Sequence, residues 1–493
     1  MPAGITGRPE KIESSTNYRL EIVDIVLKKA SGEGIGLLDL FAGINIYQSI
    51  FQPMMKAELM LYDSVSLHSN FPLIGEEIIE LTINTSQVNN DPSTRPASLL
   101  DGGEETQLLT FCIDTINYQS VSEDGRSSLY VMSLYSSEVL ESVKKRVQSG
   151  FNTTYTDAIR LILDNELNMT LNNKRLTGMT ENGLPEQTKG SFKFIVPNLK
   201  PIDALLWVNK RSVSTDPDNF YFVLFERFDG FYFNTIQQMI KYQKKVTEES
   251  KTPEDAPFKI KKYYYFPYFN DNIADSLNPK PANLQQRLIT NLIVNKRYST
   301  FQKIVAGFFE NEYYEIDIYN KQIHSTTTQV DPLKAKFALE ERVFNTEQFT
   351  QQLLTKDSSK GTKTKIKYAI VQDRGDYPGA PHYFYEKYGE GIRTQAAMAQ
   401  ISITATAIGD TRVQAGDVID LNIPEAQGFD TNSEDKYLKG KYLVTDIKHQ
   451  LVASGAYSIV MNLNRDSFFT DIDNVQQYKE APPDTIKTKV TRE

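Results

Sequence analysis

The chain has 493 residues, with 54 Lys+Arg against 63 Asp+Glu and a formal charge of −9. That length implies about three domains, and the acidic balance argues against a protein that binds nucleic acid by neutralising phosphates. The single cysteine, Cys112, excludes intramolecular disulfides and any multi-cysteine zinc or iron–sulfur centre.

The aromatic content is uneven, at 27 Tyr and 26 Phe against one Trp. Tyr and Phe favour half-buried pleated surfaces, which points to abundant β-structure. Met1–Ser15 is polar and contains no apolar core of a secretory signal. No segment approaches the ~20 apolar residues of a spanning helix, so no membrane span is expected.

In chain order, the first segment reads as short alternating strands. Tyr18–Leu27 leads into a glycine turn at Gly32, Gly34 and Gly36, followed by Ile44–Ile50, Ala57–Asp63 and Glu77–Ile83. Asn84–Gln107 is a polar loop. Strands resume at Leu109–Ile113 and Ser128–Met132, separated by a turn at Glu123–Gly125, and this β-region closes near Tyr135. The period then becomes helical. Ser136 or Ser137 is placed to cap a helix carrying Val139, Val143 and Val147, and Thr154 with Asp157 opens a second bearing Ile159, Ile162 and Leu163. A third helix follows Pro201 through Ile202, Leu205, Leu206 and Val208. Phe220–Phe225 and Gly230–Phe233 form a hairpin around Phe228–Gly230, and Lys244–Pro257 reads as a charged stretch. Leu284–Phe301 is expected to be helical and Tyr313–Tyr319 a strand. Residues 324–391 carry little pattern beyond a helix between Asp331 and Leu354. Alternation returns at Ile401–Ala407, Val418–Ile423, Tyr442–Ile447 and Tyr457–Leu463, before a polar tail from Asp471.

The search for chemistry yields no catalytic, cofactor-binding or metal-ligating candidate. His68, His324, His382 and His449 are far apart and lack ligand partners at helical spacing. They read as surface, loop or interface residues. Cys112 lies in an alternating strand, as a buried inert thiol would. Gly32-Glu-Gly34-Ile-Gly36 is followed by Leu37 and lacks the strand–turn–helix context of a dinucleotide loop. Ser358–Lys363 lacks the first glycine of a phosphate loop, and the Glu76/Glu77 and Glu340/Glu341 pairs are sequence neighbours rather than facing carboxylates. Lys259–Phe269, with three lysines interleaved among aromatics, is the best nucleic-acid candidate. The alternative is a strand packed against a neighbour.

Several ordered blocks together resemble the baseplate central hub protein of contractile-tailed, T-even-like bacteriophages, a family related to tail-tube and type VI secretion spike hub domains. They are Tyr47–Ile50 with Pro53, Leu59–Asp63, Pro72–Glu77, Tyr130–Leu134 with Ser137-Glu138, Val196–Asn198 with Pro201, Phe225-Glu226 with Gly230–Phe233, and Gly307–Asn311 with Asp317. The most specific set is Ile408–Asp410, Gly416–Ile419, Ile423-Pro424, Tyr437–Thr445, His449, Tyr457 and Arg465–Ser467.

The resemblance implies a β-rich α+β protein with two tail-tube-like β-barrel domains and mixed α/β insertions between them. The expected domains are a first tube-like β-domain at 16–135, a mixed middle at 136–300, a second tube-like β-domain at 301–470 with a loop-rich insertion about 324–391, and a polar tail at 471–493. It further implies a structural, non-enzymatic virion protein without cofactors, located in the tail baseplate and assembled in the host cytoplasm. As a homotrimer it would join the sixfold tail tube, or a tube-initiator protein, to the threefold central spike. Baseplate wedge proteins and the tape measure protein would be further partners. DNA would pass through the lumen without specific binding, the lumen being acidic or neutral. The competing readings are a tail-associated lytic hydrolase and a glycan- or nucleic-acid-binding adaptor built on Lys259–Phe269.

Overall fold

The computed structural model of the chain describes residues 21–29, 32–64, 67, 71, 73–84, 106–120, 128–170, 172, 174–249, 257–265, 287–296, 310–317, 321–329, 365–371, 391, 394–395, 398, 401–423, 435 and 438–466. The first β-unit consists of β1 (Glu21–Lys28), β2 (Gly34–Gly36), β3 (Phe41–Ser49), β4 (Lys56–Asp63), β5 (Ile78–Asn84), β6 (Thr106–Ser120) and β7 (Ser128–Ser136). Alternate residues of β3, β4 and β7 are buried, among them Ile44, Ile46, Leu59, Leu61, Met132 and Leu134. This is the period-2 pattern of a sheet with one apolar face. Only Gly32 makes the expected glycine turn, with φ +86°, whereas Gly34 and Gly36 lie in β2 and pair with β1.

The middle region contains α1 (Glu138–Lys144), β8 (Gly150–Thr153), α2 (Tyr155–Asn165), β9 (Leu176–Thr177), β10 (Phe192–Ile195), α3 (Pro201–Arg211), β11 (Phe222–Arg227), β12 (Gly230–Thr235) and α4 (Ile236–Glu248). Thr154 caps α2 by accepting the Asp157 N–H, Pro201 opens α3, and Thr235 caps α4 by accepting the Gln238 N–H. The β11–β12 hairpin is buried on both faces. Phe222, Leu224, Phe231 and Phe233 enter a local core with α2 and α3 (Ile159, Leu163, Leu205, Val208). Val223, Phe225 and Tyr232 face the opposite way, into the core of the β-units. The hairpin therefore welds the middle region to the sheet. Its turn requires Gly230, at φ +139°, where an added Cβ would lie 2.6 Å from the Arg175 carbonyl oxygen.

The remaining strands are β13 (Lys261–Tyr265), β14 (Leu288–Lys296), β15 (Glu310–Asp317), β16 (Gln322–Gln329), β17 (Lys365–Val371), β18 (Ile401–Ile408), β19 (Val418–Asn422), β20 (Gly440–Val452) and β21 (Tyr457–Arg465). β15–β17 form a separate three-stranded sheet. The other six strands close into a barrel in the order β19-β13-β14-β18-β21-β20, with β20 returning to β19. The fold is thus β-rich α+β, a closed six-stranded barrel beside a second β-unit, with a mixed α/β region between them in sequence.

The two β-units share one wiring. When β1, β3, β4, β5, β6 and β7 are matched in order to β13, β14, β18, β19, β20 and β21, five of the six neighbour contacts of the barrel recur in the first unit. The sixth, between the first and second strands, is replaced there by the turn before β3, where the Leu37 N–H donates to the Ile25 carbonyl of β1 at 2.8 Å. The irregularities match as well. β6 bulges between Ile113 and Thr115 against β7, and β20 between Val444 and Asp446 against β21. β3 bulges between Phe41 and Gly43 against β4, and β14 between Ile289 and Asn291 against β18. The registers then equate Ile46 with Val294, Ala57 with Ile403, Met132 with Met461 and Leu134 with Leu463. One strand departs from the match. β13 runs parallel to β19, whereas β1 runs antiparallel to β5.

Several local expectations are corrected. Leu288–Lys296 is a strand, not a helix. Two bulges shift the phase of its apolar residues (Leu288, Ile289, Leu292, Ile293, Val294), so the run imitates a helical stripe. α1 stops at Lys144, which leaves Val143 exposed and Val147 bridged to Leu199, and its N-cap Ser137 makes no side-chain capping bond. α4 runs to Glu248, so it takes in the first part of the charged Lys244–Pro257 stretch. The Glu123–Gly125 turn, the Asp331–Leu354 helix, His68, His382, Ser358–Lys363, Glu340/Glu341 and the tail from Asp471 lie outside the described residues.

Candidate assembly interface

The two β-units meet edge to edge. β3 and β20 pair antiparallel over seven positions, from Ser49 opposite Asp446, through Ile46 opposite His449, to Gly43 opposite Val452. The ladder is extended by Ile50 N–H to the Thr445 carbonyl (2.9 Å) and Ala453 N–H to the Ala42 carbonyl (3.0 Å). One thirteen-stranded sheet results, with a continuous apolar core beneath it.

Buried polar groups fix this seam. The Gln48 amide donates to Gln414 Oε1 (3.2 Å) and its Oε1 accepts the Ala415 N–H (3.2 Å). Gln414 Oε1 also accepts the Phe228 N–H (3.0 Å), so one side chain ties both β-units to the β11–β12 turn. Arg227 reaches from that hairpin to Asp417 at 2.8 Å. Burial opposes its charge, but Asp417 outweighs it and holds the guanidinium firmly protonated. A second cluster lies on the side of the first unit. The Lys174 ammonium is 2.9 Å from Glu138 and 2.5 Å from Glu226, and Glu226 also accepts the Met55 N–H (2.8 Å) and the Ser136 hydroxyl (2.5 Å). Burial opposes the Lys174 charge, yet the two carboxylates keep it protonated, while burial pushes Glu226 up.

Several described residues that carried the family resemblance in the last third of the chain are turn and packing residues of the second unit. A Cβ on Gly409 would fall 2.0 Å from the Tyr457 ring, and Gly416, at φ +87°, has the Phe225 ring 2.8 Å from where its Cβ would be. Asp410 chelates the Arg412 guanidinium (2.9 and 2.6 Å). Burial raises its pKa, but Arg412 wins and holds it below the carboxylate range. Arg465 is fully buried, donates to the Lys439 carbonyl (2.6 Å) and covers the Tyr442 ring. In the first unit, Glu77 accepts the Ile74 and Gly75 N–H groups (3.0 and 2.9 Å) and so holds a turn.

His449, read from sequence as a surface, loop or interface residue, sits on the seam with no exposure at all. Its Nδ1 is 2.7 Å from the Tyr457 hydroxyl and its ring lies against Phe228, and burial pushes its pKa down to about 3. Cys112 is buried and burial pushes its thiol up, as its strand position implied. The described part of the Lys259–Phe269 segment, Lys259–Tyr265, is built into the barrel and not set out as a nucleic-acid face. It includes barrel strand β13, with Tyr263 fully buried and Lys261 pointing inward to the Arg412 carbonyl (3.3 Å). Burial lowers Lys261 to about 8. Among the described residues no group of three or more His, Cys, Asp or Glu is placed to hold a metal ion, and no helix is long and apolar enough to cross a membrane.

β6 and β14 each have one side left partly without a strand partner among the described residues. β6 pairs with β5 only through Cys112, so Asp114–Ser120 have no neighbour on that side. β14 pairs with β13 only at Leu288 and Ile289, so Thr290–Lys296 have no strand partner on theirs among the described residues. In the matched wiring these edges are the counterparts of the two strands that form the seam, β20 and β3. Neither edge stood out in the sequence, because an edge is defined by a missing neighbour and not by a residue type.

No family description matches the chain, and no curated protein matches it in sequence. Solved structures do align with it. A tail protein from Neisseria meningitidis aligns at TM-score 0.47 and 10% identity, over 90% of this chain and 96% of the other. The 43 kDa tail protein of prophage MuSo2 from Shewanella oneidensis aligns at 0.46 and 12%, over 90% and 99%. A type VI secretion component of E. coli, described as structurally similar to T4 bacteriophage tail proteins, aligns at 0.39 and 8%, over 87% and 74%. Below a TM-score of 0.5 such likenesses carry no weight for function, which rests on the chain's own geometry.

Proposed function

We propose that this chain is a structural, non-enzymatic hub protein of a phage-type tail baseplate, working as a homotrimer that joins a sixfold tube to a threefold spike. The observation that carries this reading is the repeated wiring: one chain holds two β-units of the same strand order, joined edge to edge by β3 and β20. Three such chains present six similar units, which meets a sixfold partner on one face and a threefold partner on the other. The ordered sequence blocks that resemble the hub family support the same reading. The second β-unit draws on β13 and β14 in addition to β18–β21, so we place its start near Lys261.

The reading includes a channel for DNA and the tape measure protein. The face of the sheet turned away from the core mixes Glu58 and Asp446 with Lys56 and Lys448 near the seam, a balance that would not retain phosphates. A spike protein, a tube or tube-initiator protein and wedge proteins are the proposed partners, and the virion tail baseplate the proposed location. Light scattering and electron microscopy of the purified full chain across a concentration series test the proposal. Three-copy rings with six lobes are expected. A chain that stays monomeric throughout, or rings whose lumen is lined mainly by Lys and Arg, would count against it.

A further inference from the structure

The seam supplies a template for a second contact. β3 and β20 occupy the second and fifth positions of their units, and the corresponding positions in the opposite units are β14 and β6, the two strands with open edges. Burial separates the covered pair from the uncovered pair. Ile44, Ile46 and Ile447 at the seam are 0–2% exposed. Their counterparts Leu292, Val294 and Ile116 pack against the core but are only partly buried, and Ile293 is 51% exposed. A long edge with exposed aliphatic side chains is a template for strand addition.

We propose that β6 of one copy pairs antiparallel with β14 of the next, in the register that β20 and β3 use within the chain. Carrying the seam register across through the shared bulges places Tyr118 opposite Val294, Gln119 opposite Ile293 and Ser120 opposite Leu292. The occupant is a second copy of this chain, because the two open edges are the counterparts of strands that already fit one another. The contact is heterologous, each copy giving β6 on one side and β14 on the other, so it closes a ring when the rotation permits. The inference rests on the hub reading only in requiring that copies associate.

Directly opposed residues in an antiparallel pair have Cα atoms about 4.5–5.5 Å apart, within the span of a disulfide. The full chain carrying Gln119→Cys and Ile293→Cys should therefore form intermolecular disulfides on mild oxidation, seen as a ladder on a non-reducing gel. Either single variant should form none of this ladder, since the native Cys112 is buried. The pair Gln119→Cys with Leu292→Cys, one residue out of register, should cross-link about tenfold less, because a one-residue slip turns the side chain to the other face. Ile293→Lys, on the exposed side of the edge, should abolish assembly in light scattering while leaving the circular dichroism and urea midpoint of the monomer unchanged. Rings that form without the cross-link, or that cross-link equally in both registers, overturn this contact and leave the hub reading standing. Specific cross-links within open chains and not rings support the contact and overturn the trimer. A persistent monomer overturns both.

Discussion

The two β-units share wiring, bulges and several core positions, yet one edge of each is sealed at the seam and the other has no strand partner among the described residues. Ile46 of the first unit and Val294 of the second stand at the same place on the same strand, but among the described residues only Ile46 has a paired neighbour on its outer side. The difference teaches that burial here is set by what lies alongside a strand and not by the strand's own pattern. It also shows how a chain with two related units limits self-association. One junction is made once, inside the chain, and locked by buried polar contacts, which leaves β6 and β14 as the matching edges among the described strands.

The buried cluster that ties the middle region to the first unit should break hardest. Lys174→Met leaves Glu138 and Glu226 buried without their cation, and a loss of about 3–5 kcal/mol is expected in urea unfolding of the full chain. Next comes the direct comparison of matched sites. Ile46→Ala should cost about 2–5 kcal/mol, as full-size cavities do, whereas Val294→Ala should cost the monomer markedly less and weaken association instead. Equal costs in the monomer would mean that the two edges are not distinct.

A smaller effect depends on pH. His449 has a folded pKa of about 3 against an ordinary 6.5, so the unfolded chain binds its proton first as acid is added. Its contribution is complete above about pH 6.5 and falls away towards pH 3, by about 2 kcal/mol at pH 5. His449→Leu should flatten that part of the stability profile between pH 7 and 5. An unchanged slope would show that the imidazole is not sealed by the seam. The smallest change is expected on the outer surface of the first unit, where Lys28 and Glu80 meet at 2.6 Å across β1 and β5. Lys28→Ala should shift stability by less than about 1 kcal/mol.

Much of the local structure was legible. Alternation located β3, β4, β7, β18 and β21, and Thr154 with Asp157 marked the start of α2, because these elements bury one face against a single core and their side-chain period shows it. β14 was not legible, since its two bulges break the alternation and leave spacing that imitates a helix. His449 was not legible either. Nothing in its neighbourhood in sequence announces that Phe228, more than 200 positions earlier, packs against its ring.

The sequence by itself determined the β-rich class, the Thr154 cap of α2, the Pro201 start of α3, the buried cysteine and the ordered blocks that resemble the hub family, all of which depend on residue type and short spacing. Only the tertiary structure decided that the two β-units repeat one wiring, that β3 and β20 join them, and that β6 and β14 have a side without a strand partner among the described residues. The physical reason is that strand order and edge exposure are properties of backbone pairing between distant segments. Backbone hydrogen bonds are the same for every residue type, so a great variety of side chains can specify the same pairing, and the repeat leaves almost no mark in the sequence.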